Sequence, residues 1–442
     1  MAAFGNRREF MKTTAAAGLG LSVSGSLPAI HKGISPNEKV VVAVMGVKGR
    51  GGGLANTFAS LPGSEVAVIC DVDENVIGEC IKDVTDRQDK KPEAATDIRK
   101  VLERDDIDAI VIAAPDHWHA PAALMAMQAG KHVYLEKPCS HNPREGELLI
   151  QAQKKYNKVV QMGTQQRSGP RSIELVEAIH DGIIGDAYFA KAFYSNTRGS
   201  IGRGKTAPVP AGLDYDLWQG PAPRVDFKDN IIHYNWHWFW HWGTGEACNN
   251  GTHEVDVCRW ALDVDYPSRV MSTGGRYHFD DDWEFYDTQI MSFEFEGGKS
   301  ISWEGRSCNG HQFFGRGRGS TIHGTNGTAL VDRDGYIIFD HKGKEIKRNM
   351  KSEATDQLNT IGTGDLTDYH IDNFCKGIRD GAKLNTPIDE GHKSVLLCHL
   401  GNIAQHTGQV LECNPENGHV YDKDVMEKMW GRTYEPGWEM KV

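Results

Sequence analysis

A β-branched run that breaks on a cluster of glycines constrains this chain more than any other feature. Lys39–Met45 reads KVVVAVM, a stiff apolar stretch of strand length. Gly46, Gly49, Gly51, Gly52 and Gly53 follow at once, and Leu54–Phe58 opens a helical pattern. A second apolar strand, Glu65–Cys70, ends in Asp71, which lies 20 residues beyond Gly51. The alternation then continues. Helices are expected over Ala95–Leu102, Ala120–Ala129 and Glu145–Tyr156. Strands are expected over Ile107–Ala113, His132–Leu135 and Val159–Met162. Alternating βα units imply an α/β fold with a doubly wound parallel sheet, here over residues 37–163. Ligands of such sheets bind beyond the C-terminal strand ends, where Pro115–His119 and Glu136–Pro138 stand.

Strand, glycine turn, helix, strand and acid are the layout of a Rossmann dinucleotide-binding unit. Glycines let backbone N–H groups approach a pyrophosphate at the helix N-terminus. Gly46, Gly49, Arg50 and Gly51 are the candidates for that cradle. Asp71 is placed to accept hydrogen bonds from the adenosine ribose. An acid there disfavours a 2′-phosphate, so NAD is expected rather than NADP. Counted from Gly46, the second glycine of G-x-G-x-x-G falls on Lys48, so the motif is imperfect.

Charge and cysteine usage exclude other classes. Lys and Arg number 49 against 60 Asp and Glu, a net charge of −11. Nucleic-acid binding needs a basic face, and none is expected. No run reaches about 18 apolar residues, so no membrane span is expected. The nine cysteines contain no CxxC and read as buried small hydrophobes rather than a metal site. Residues 1–30 carry Arg7-Arg8, then Phe10, then a weakly apolar Ala/Gly run. This resembles a twin-arginine export signal, which carries folded proteins to the periplasm and leaves room for a cofactor loaded beforehand.

Glu136-Lys137-Pro138 after AGKHVYL, together with Pro115 and His119, resembles the Gfo/Idh/MocA oxidoreductase family. The resemblance runs from about Asn37 to Val442. It includes Gln161–Arg167, Gly245–Leu262, Asp389–Gly391 and His399–Asn402. It implies a second α/β domain, residues 164–442, with a large, mostly antiparallel sheet. Candidate strands are Ala187–Tyr194, Arg269–Tyr277, Gln289–Phe295, Lys299–Glu304, Ser320–His323 and Ala329–Asp332. Helices at Asp365–Arg379 and His392–Thr407 would return near the first domain. The open sheet face implies a dimer or tetramer. The active site would lie between sheet and nicotinamide, with Asp116, Trp118, His119, Glu136 and Gln165 on the cofactor side.

The family's lysine steadies the developing oxyanion and relays the proton, which assigns Lys137. Its base comes from D-x-G-x-H-x-x-D. Here that stretch is Asn249-Asn250-Gly251-Thr252-His253-Glu254-Val255-Asp256, so His253 is the candidate base. A place at the N-terminus of a helix over Thr252–Leu262 would keep its imidazole neutral. Asn249 replaces the usual acid; an amide orients a hydroxyl but takes no proton. Just upstream, His233–Trp242 holds four of eleven tryptophans within seven residues. Indole faces stack on sugar rings, so Trp236, His237 and Trp240 are candidate substrate contacts. A strand there would send alternate side chains to opposite faces. Arg167 is a further substrate-side candidate, with Lys191, Tyr194 and Arg306 behind it.

The expected activity is that of an exported NAD-dependent oxidoreductase acting on a sugar, glycoside or cyclitol, with tightly held NAD recycled in place. The alternative is an NAD-dependent glycoside hydrolase working by oxidation and elimination; such hydrolases of this fold lack the Glu-Lys-Pro tripeptide.

Overall fold

A computed structural model describes residues 38–351 and 364–442. The export signal expected in residues 1–30 lies outside them. The first half alternates β1 (Val40–Met45), α1 (Arg50–Ser60), β2 (Ser64–Cys70), α2 (Glu74–Thr85), β3 (Glu93–Ala95), α3 (Ile98–Leu102), β4 (Ala109–Ile112), α4 (Asp116–Gln128), β5 (His132–Leu135), α5 (Pro143–Tyr156) and β6 (Val160–Met162). The six strands form one sheet in the order β3-β2-β1-β4-β5-β6, parallel throughout. Both faces are covered, which is why β1 and β4 are apolar at every position. Val42, Val44 and Val111 pack under Leu54 and Phe58 of α1. Ala43, Ile110 and Ile112 pack under α4 and α5. The strand order reverses between β1 and β4, and that reversal opens a crevice beyond their C-terminal ends.

Two helix starts in this half lie farthest from expectation. Ala95 ends β3 rather than starting a helix, because Asp97 caps α3 by accepting from Arg99 N. Helix α4 starts at Asp116, not Ala120, with Pro115 before it. Asp116, His117, Trp118 and His119 therefore form a buried first turn instead of a loop.

The second half contributes α6 (Pro170–His180), β7 (Ala187–Ser195), α7 (Tyr215–Gln219), α8 (Thr252–Leu262), β8 (Arg269–Gly275), β9 (Thr288–Phe295), β10 (Lys299–Arg306), β11 (Arg318–Gly324), β12 (Gly327–Val331), β13 (Gly335–Asp340), β14 (Glu345–Met350), α9 (Asp365–Asp380), α10 (Ile388–Thr407), β15 (Leu411–Glu412) and α11 (Lys423–Met429). Nine strands form a sheet in the order β14-β13-β12-β11-β7-β10-β9-β8-β15. Among the described pairings of this sheet, only β10–β7 is parallel. Alternate residues Ala190, Ala192 and Tyr194 of β7 face α8 and α10, while Phe189 and Lys191 on the other face are only partly buried. One covered and one open face give the clean alternation of an antiparallel sheet. Helix α9 packs Ile371 and Phe374 into the α1 side of the first sheet.

A strap between β7 and α8 crosses back to the first sheet. Glu74 N donates to Gly212 O and Asp214 N donates to Val72 O. His233 Nε2 lies 2.9 Å from Asp73 Oδ2. The tryptophan-rich part is not a strand: Asn235–Trp238 is a 3₁₀ turn, and turns at Trp242 and Gly243 back onto Phe239 O continue the coil.

Candidate active site

The crevice is lined from both halves. Gly46 follows β1 with φ of 80°, and a Cβ there would meet the Ala114 backbone at 2.6 Å. Gly49, with φ of 79°, precedes α1, and no side chain caps that helix. Its first-turn N–H groups thus face the crevice without an intrahelical partner. Asp71 rims the same cavity. Its Oδ2 accepts from Val47 N at 2.7 Å and its Oδ1 from Asp73 N at 3.0 Å. Burial pushes its pKa up, against those two bonds. These features fit a dinucleotide: open backbone donors for a pyrophosphate and a fixed carboxylate for a ribose. Lys48, in place of the motif's second glycine, also lines the cavity.

Glu136 ties the cradle to the next strand end. Its Oε1 accepts from Arg50 Nε at 2.8 Å and from Gln165 Nε2 at 3.0 Å. Burial works against its charge, but Arg50 and Lys137 outweigh burial and hold its pKa below the ordinary value. From α4, Asp116 Oδ2 accepts from Thr244 Oγ1 at 2.6 Å. Trp118 Nε1 donates to Trp218 O, and the His119 ring sits between Ala114 O and Pro138 O. Asp116, Trp118, His119, Glu136 and Gln165 all line the cavity.

Lys137 leads into a cis peptide bond with Pro138. Its Nζ donates to Asn249 O at 2.5 Å and to Asn249 Oδ1 at 3.0 Å. A π turn over Ala247–Gly251 makes this possible, since wider i→i+5 turns interrupt the regular helical ladder at functional sites. Burial lowers the Lys137 pKa, against the attraction of Glu136 and Asp116. His253 lines the same cavity. Because the π turn runs straight into α8, His253 is not at a free helix N-terminus as expected. It is held neutral by burial, helped by Arg318, Arg333, Lys137 and Arg50, which together push its pKa well down.

Two substrate-side candidates sit elsewhere. Trp236 and His237 line the cavity, their rings stacked 3.6 Å apart. Trp240 turns away and packs on Phe285 at 3.9 Å, because the segment coils instead of alternating. Arg167 is buried against Asp256, its Nε 2.8 Å from Oδ2, with its guanidinium over Trp260. A buried cation needs a buried anion, and Asp256, the last acid of the motif, serves it. Lys191 pairs with Glu304, the Tyr194 hydroxyl accepts from Asn196 and Arg198, and Arg306 Nη2 donates to His311 O.

Sequence reasoning missed Glu246. This carboxylate is 2% exposed. It accepts from Arg198 Nε at 2.7 Å, Ser307 Oγ at 2.9 Å and Asn249 Nδ2 at 3.3 Å. It therefore fixes the amide that Lys137 binds. His233, Tyr234 and Trp218 of the strap also line the cavity. The only local signal for Glu246 is an acid three residues before Asn249, on the same helical face.

Comparison with known proteins agrees with this fold. Residues 40–164 match the model of the Gfo/Idh/MocA oxidoreductase family's NAD-binding Rossmann fold. Residues 191–332 match that family's C-terminal α/β domain. A glycosyl hydrolase family 109 protein of Saccharopolyspora erythraea is 30% identical over 210 residues, 43% of this chain and 45% of that protein. An alpha-N-acetylgalactosaminidase of Shewanella oneidensis is 28% identical over 209 residues, 43% of this chain and 46% of its own. The chain thus spans under half the length of these curated relatives. Among solved structures, levoglucosan dehydrogenase with NADH and levoglucosan superposes with a TM-score of 0.65 at 18% identity, over 85% of this chain and 99% of that one. An aldose-aldose oxidoreductase from Caulobacter crescentus, complexed with glycerol, gives 0.64 at 16%, over 85% and 99%. These structures share the fold. With both domain models matched in order and together covering more than half of its residues, the chain belongs to the Gfo/Idh/MocA oxidoreductase family.

Proposed function

We propose that this protein is an NAD-dependent oxidoreductase acting on a ring hydroxyl, or the matching ketone, of a sugar, glycoside or cyclitol. One observation carries the reading: Lys137, Asn249 and His253 converge on the cavity that Gly46, Arg50 and Asp71 line. When bound, the nicotinamide supplies the hydride acceptor or donor. The chain's own residues do the rest. Asn249 Oδ1 fixes Lys137 Nζ, leaving that group one further hydrogen for a substrate oxygen. Neutral His253 accepts from the substrate hydroxyl, and Lys137 steadies the oxygen as its proton leaves. The stacked Trp236 and His237 form a wall for the C–H face of a ring. The strap's contacts at Asp73 and Glu74 support a tightly held cofactor that is recycled within the site.

The test uses purified full-length protein. Absorbance and mass spectrometry would look for copurified nicotinamide, followed by glucosides and inositols. Conversion of bound NAD to NADH by one substrate class is expected. Protein that neither carries nor takes up NAD would overturn the proposal. Aglycone release without net reduction would select oxidation–elimination hydrolysis instead, the reading that the names of the family 109 relatives favour.

Asp71 is the reason to prefer NAD. Asp71→Ser should raise the relative use of NADP about tenfold, since ~1.4 kcal/mol of like-charge repulsion lies between the aqueous and near-surface limits. An unchanged NADP/NAD ratio would remove Asp71 from the selectivity account. Under the same reading, residues 1–30 direct the folded, loaded protein to the periplasm. Cell fractionation after Arg7-Arg8 is changed to Lys-Lys should find it retained in the cytoplasm; unaltered export would refute the twin-arginine route.

A further inference from the structure

To read a polar ring, a site needs a group that opens onto the cavity with a hydrogen bond still to make. Most polar side chains around Lys137 are committed. Asn249 spends Oδ1 on Lys137 Nζ and Nδ2 on Glu246. Both His119 nitrogens meet carbonyls, and Asp116 accepts from Thr244. His237 spends Nδ1 on Tyr234 O, 2.6 Å away. Tyr234 differs. It lines the main cavity and is 41% exposed. Among the described residues its hydroxyl makes no hydrogen bond.

An exposed tyrosine hydroxyl is ordinarily left to water. Here the ring that carries it is fixed. The His237 ring lies 4.5 Å from it at 37°, and His237 stacks in turn on Trp236. The Arg198 guanidinium sits 5.4 Å from the Tyr234 ring and 5.0 Å from that of Trp238. Glu246 holds Arg198 and also accepts from Asn249 Nδ2. The tyrosine is thus linked through Arg198 and Glu246 to the amide that holds Lys137. Burial, with the charges of Lys137 and Arg198, pushes the His237 pKa well down, against its bond to Tyr234 O. The strap therefore runs from Asp73, at His233, to the Lys137 end of the cavity, at His237. A hydroxyl on a ring held this way costs little to order when a ligand binds. Charge decides the kind of partner. Both Glu246 oxygens take hydrogen bonds from Arg198, at 2.7 and 3.3 Å, so the cation against this ring is already balanced. A neutral tyrosine hydroxyl donates and accepts, as a sugar hydroxyl does.

We propose that Tyr234 is a substrate-recognition residue, its hydroxyl pairing with a neutral hydroxyl of the bound ring other than the one that Lys137 and His253 handle. The proposal rests on the reading that the site takes a sugar, glycoside or cyclitol. It adds a polar reader to an apolar wall. The indole of Trp236 accepts the C–H face of many rings, whereas Tyr234 tells one hydroxyl from its absence.

Isothermal titration of the protein loaded with NADH provides the test, since the reduced cofactor leaves an alcohol no oxidant and binding is read without turnover. The probes are methyl β-glucopyranoside, its monodeoxy analogues, methyl β-glucuronide and myo-inositol. Tyr234→Phe keeps the ring and its packing and removes only the hydroxyl. It should weaken the glucoside about tenfold, near the upper end for one neutral hydrogen bond. One deoxy analogue, lacking the partner hydroxyl, should bind parent and variant alike, while the others keep the tenfold difference. Equal binding of every probe to both proteins, or an equal loss for every analogue, would overturn the role of Tyr234 and leave the sugar reading standing. No glucoside or inositol bound by the parent would overturn both. Glucuronide bound more tightly than glucoside, with the advantage lost in Tyr234→Phe, would show the partner to be a carboxylate and overturn the neutral assignment.

Discussion

Lys137→Met should lower kcat about 10³-fold, within the range for losing a positioned acid–base group and its oxyanion contact, while the nicotinamide stays bound. The two effects separate because Lys137 Nζ holds Asn249 rather than the glycine turn. The sign of the pH dependence is fixed by the site. Burial lowers the Lys137 pKa from the ordinary 10.5, and Glu136 and Asp116 only partly restore it. His253 takes the proton while the charged Lys137 amine steadies the oxygen, so the oxidation rate should fall as pH rises through this depressed pKa. Ketone reduction needs the same protonated amine and should also fall over that range. Both limbs should vanish in the methionine variant. A pH profile that survives the substitution would show that Lys137 is not the titrating group.

Gly51→Ala should abolish copurified nicotinamide and lower stability together. A Cβ on Gly51 would sit 1.7 Å from Gly46 O, far inside contact distance. The loop has little room to yield at Gly46, where an added Cβ would meet the Ala114 backbone at 2.6 Å and whose φ of 80° suits only glycine well. Forced overpacking of this kind costs about 3 kcal/mol or more, or roughly 5–10 °C of melting temperature. Gly78, inside α2, is the control. Nothing lies within 4 Å of its added Cβ, and Gly78→Ala should be neutral or stabilising by up to ~1 kcal/mol. A Gly51→Ala protein that melts normally and still carries its cofactor would refute the tight-turn account.

The first sheet was legible because both of its faces are buried, so β1 and β4 announce themselves as uninterrupted apolar runs. In the second sheet, β9 and β10 show alternation because one face is open. Strand β14 does not. Its EIKRNM is an edge strand of exposed charge, and no hydrophobic period marks it. The same contrast holds in the site. Lys137, Asn249 and His253 belong to short local motifs. Glu246 acquires its role from Arg198 and Ser307, 48 and 61 residues away, and from a π turn that no local pattern encodes. Arg167 looked available because its partner, Asp256, is 89 residues distant. The tryptophan segment misled for a related reason: alternation predicts faces only while the backbone is extended, and here it coils.

The strap has a consequence for turnover. It belongs to the substrate half, yet it is fastened to the β2–α2 corner at Val72, Asp73 and Glu74. Its His233, Tyr234 and Trp236 line the same cavity as Asp71. Under the proposed function, substrate and cofactor would share that cavity, and a dinucleotide would leave only as the strap's hydrogen bonds to Val72, Asp73 and Glu74 break. Such a machine would be a shuttle with a resident courier. If the proposed reading holds, electrons taken from one guest would be handed to the next before the first reaction repeats, and kinetics measured with a single sugar are expected to show one fast turnover per chain and then a stall.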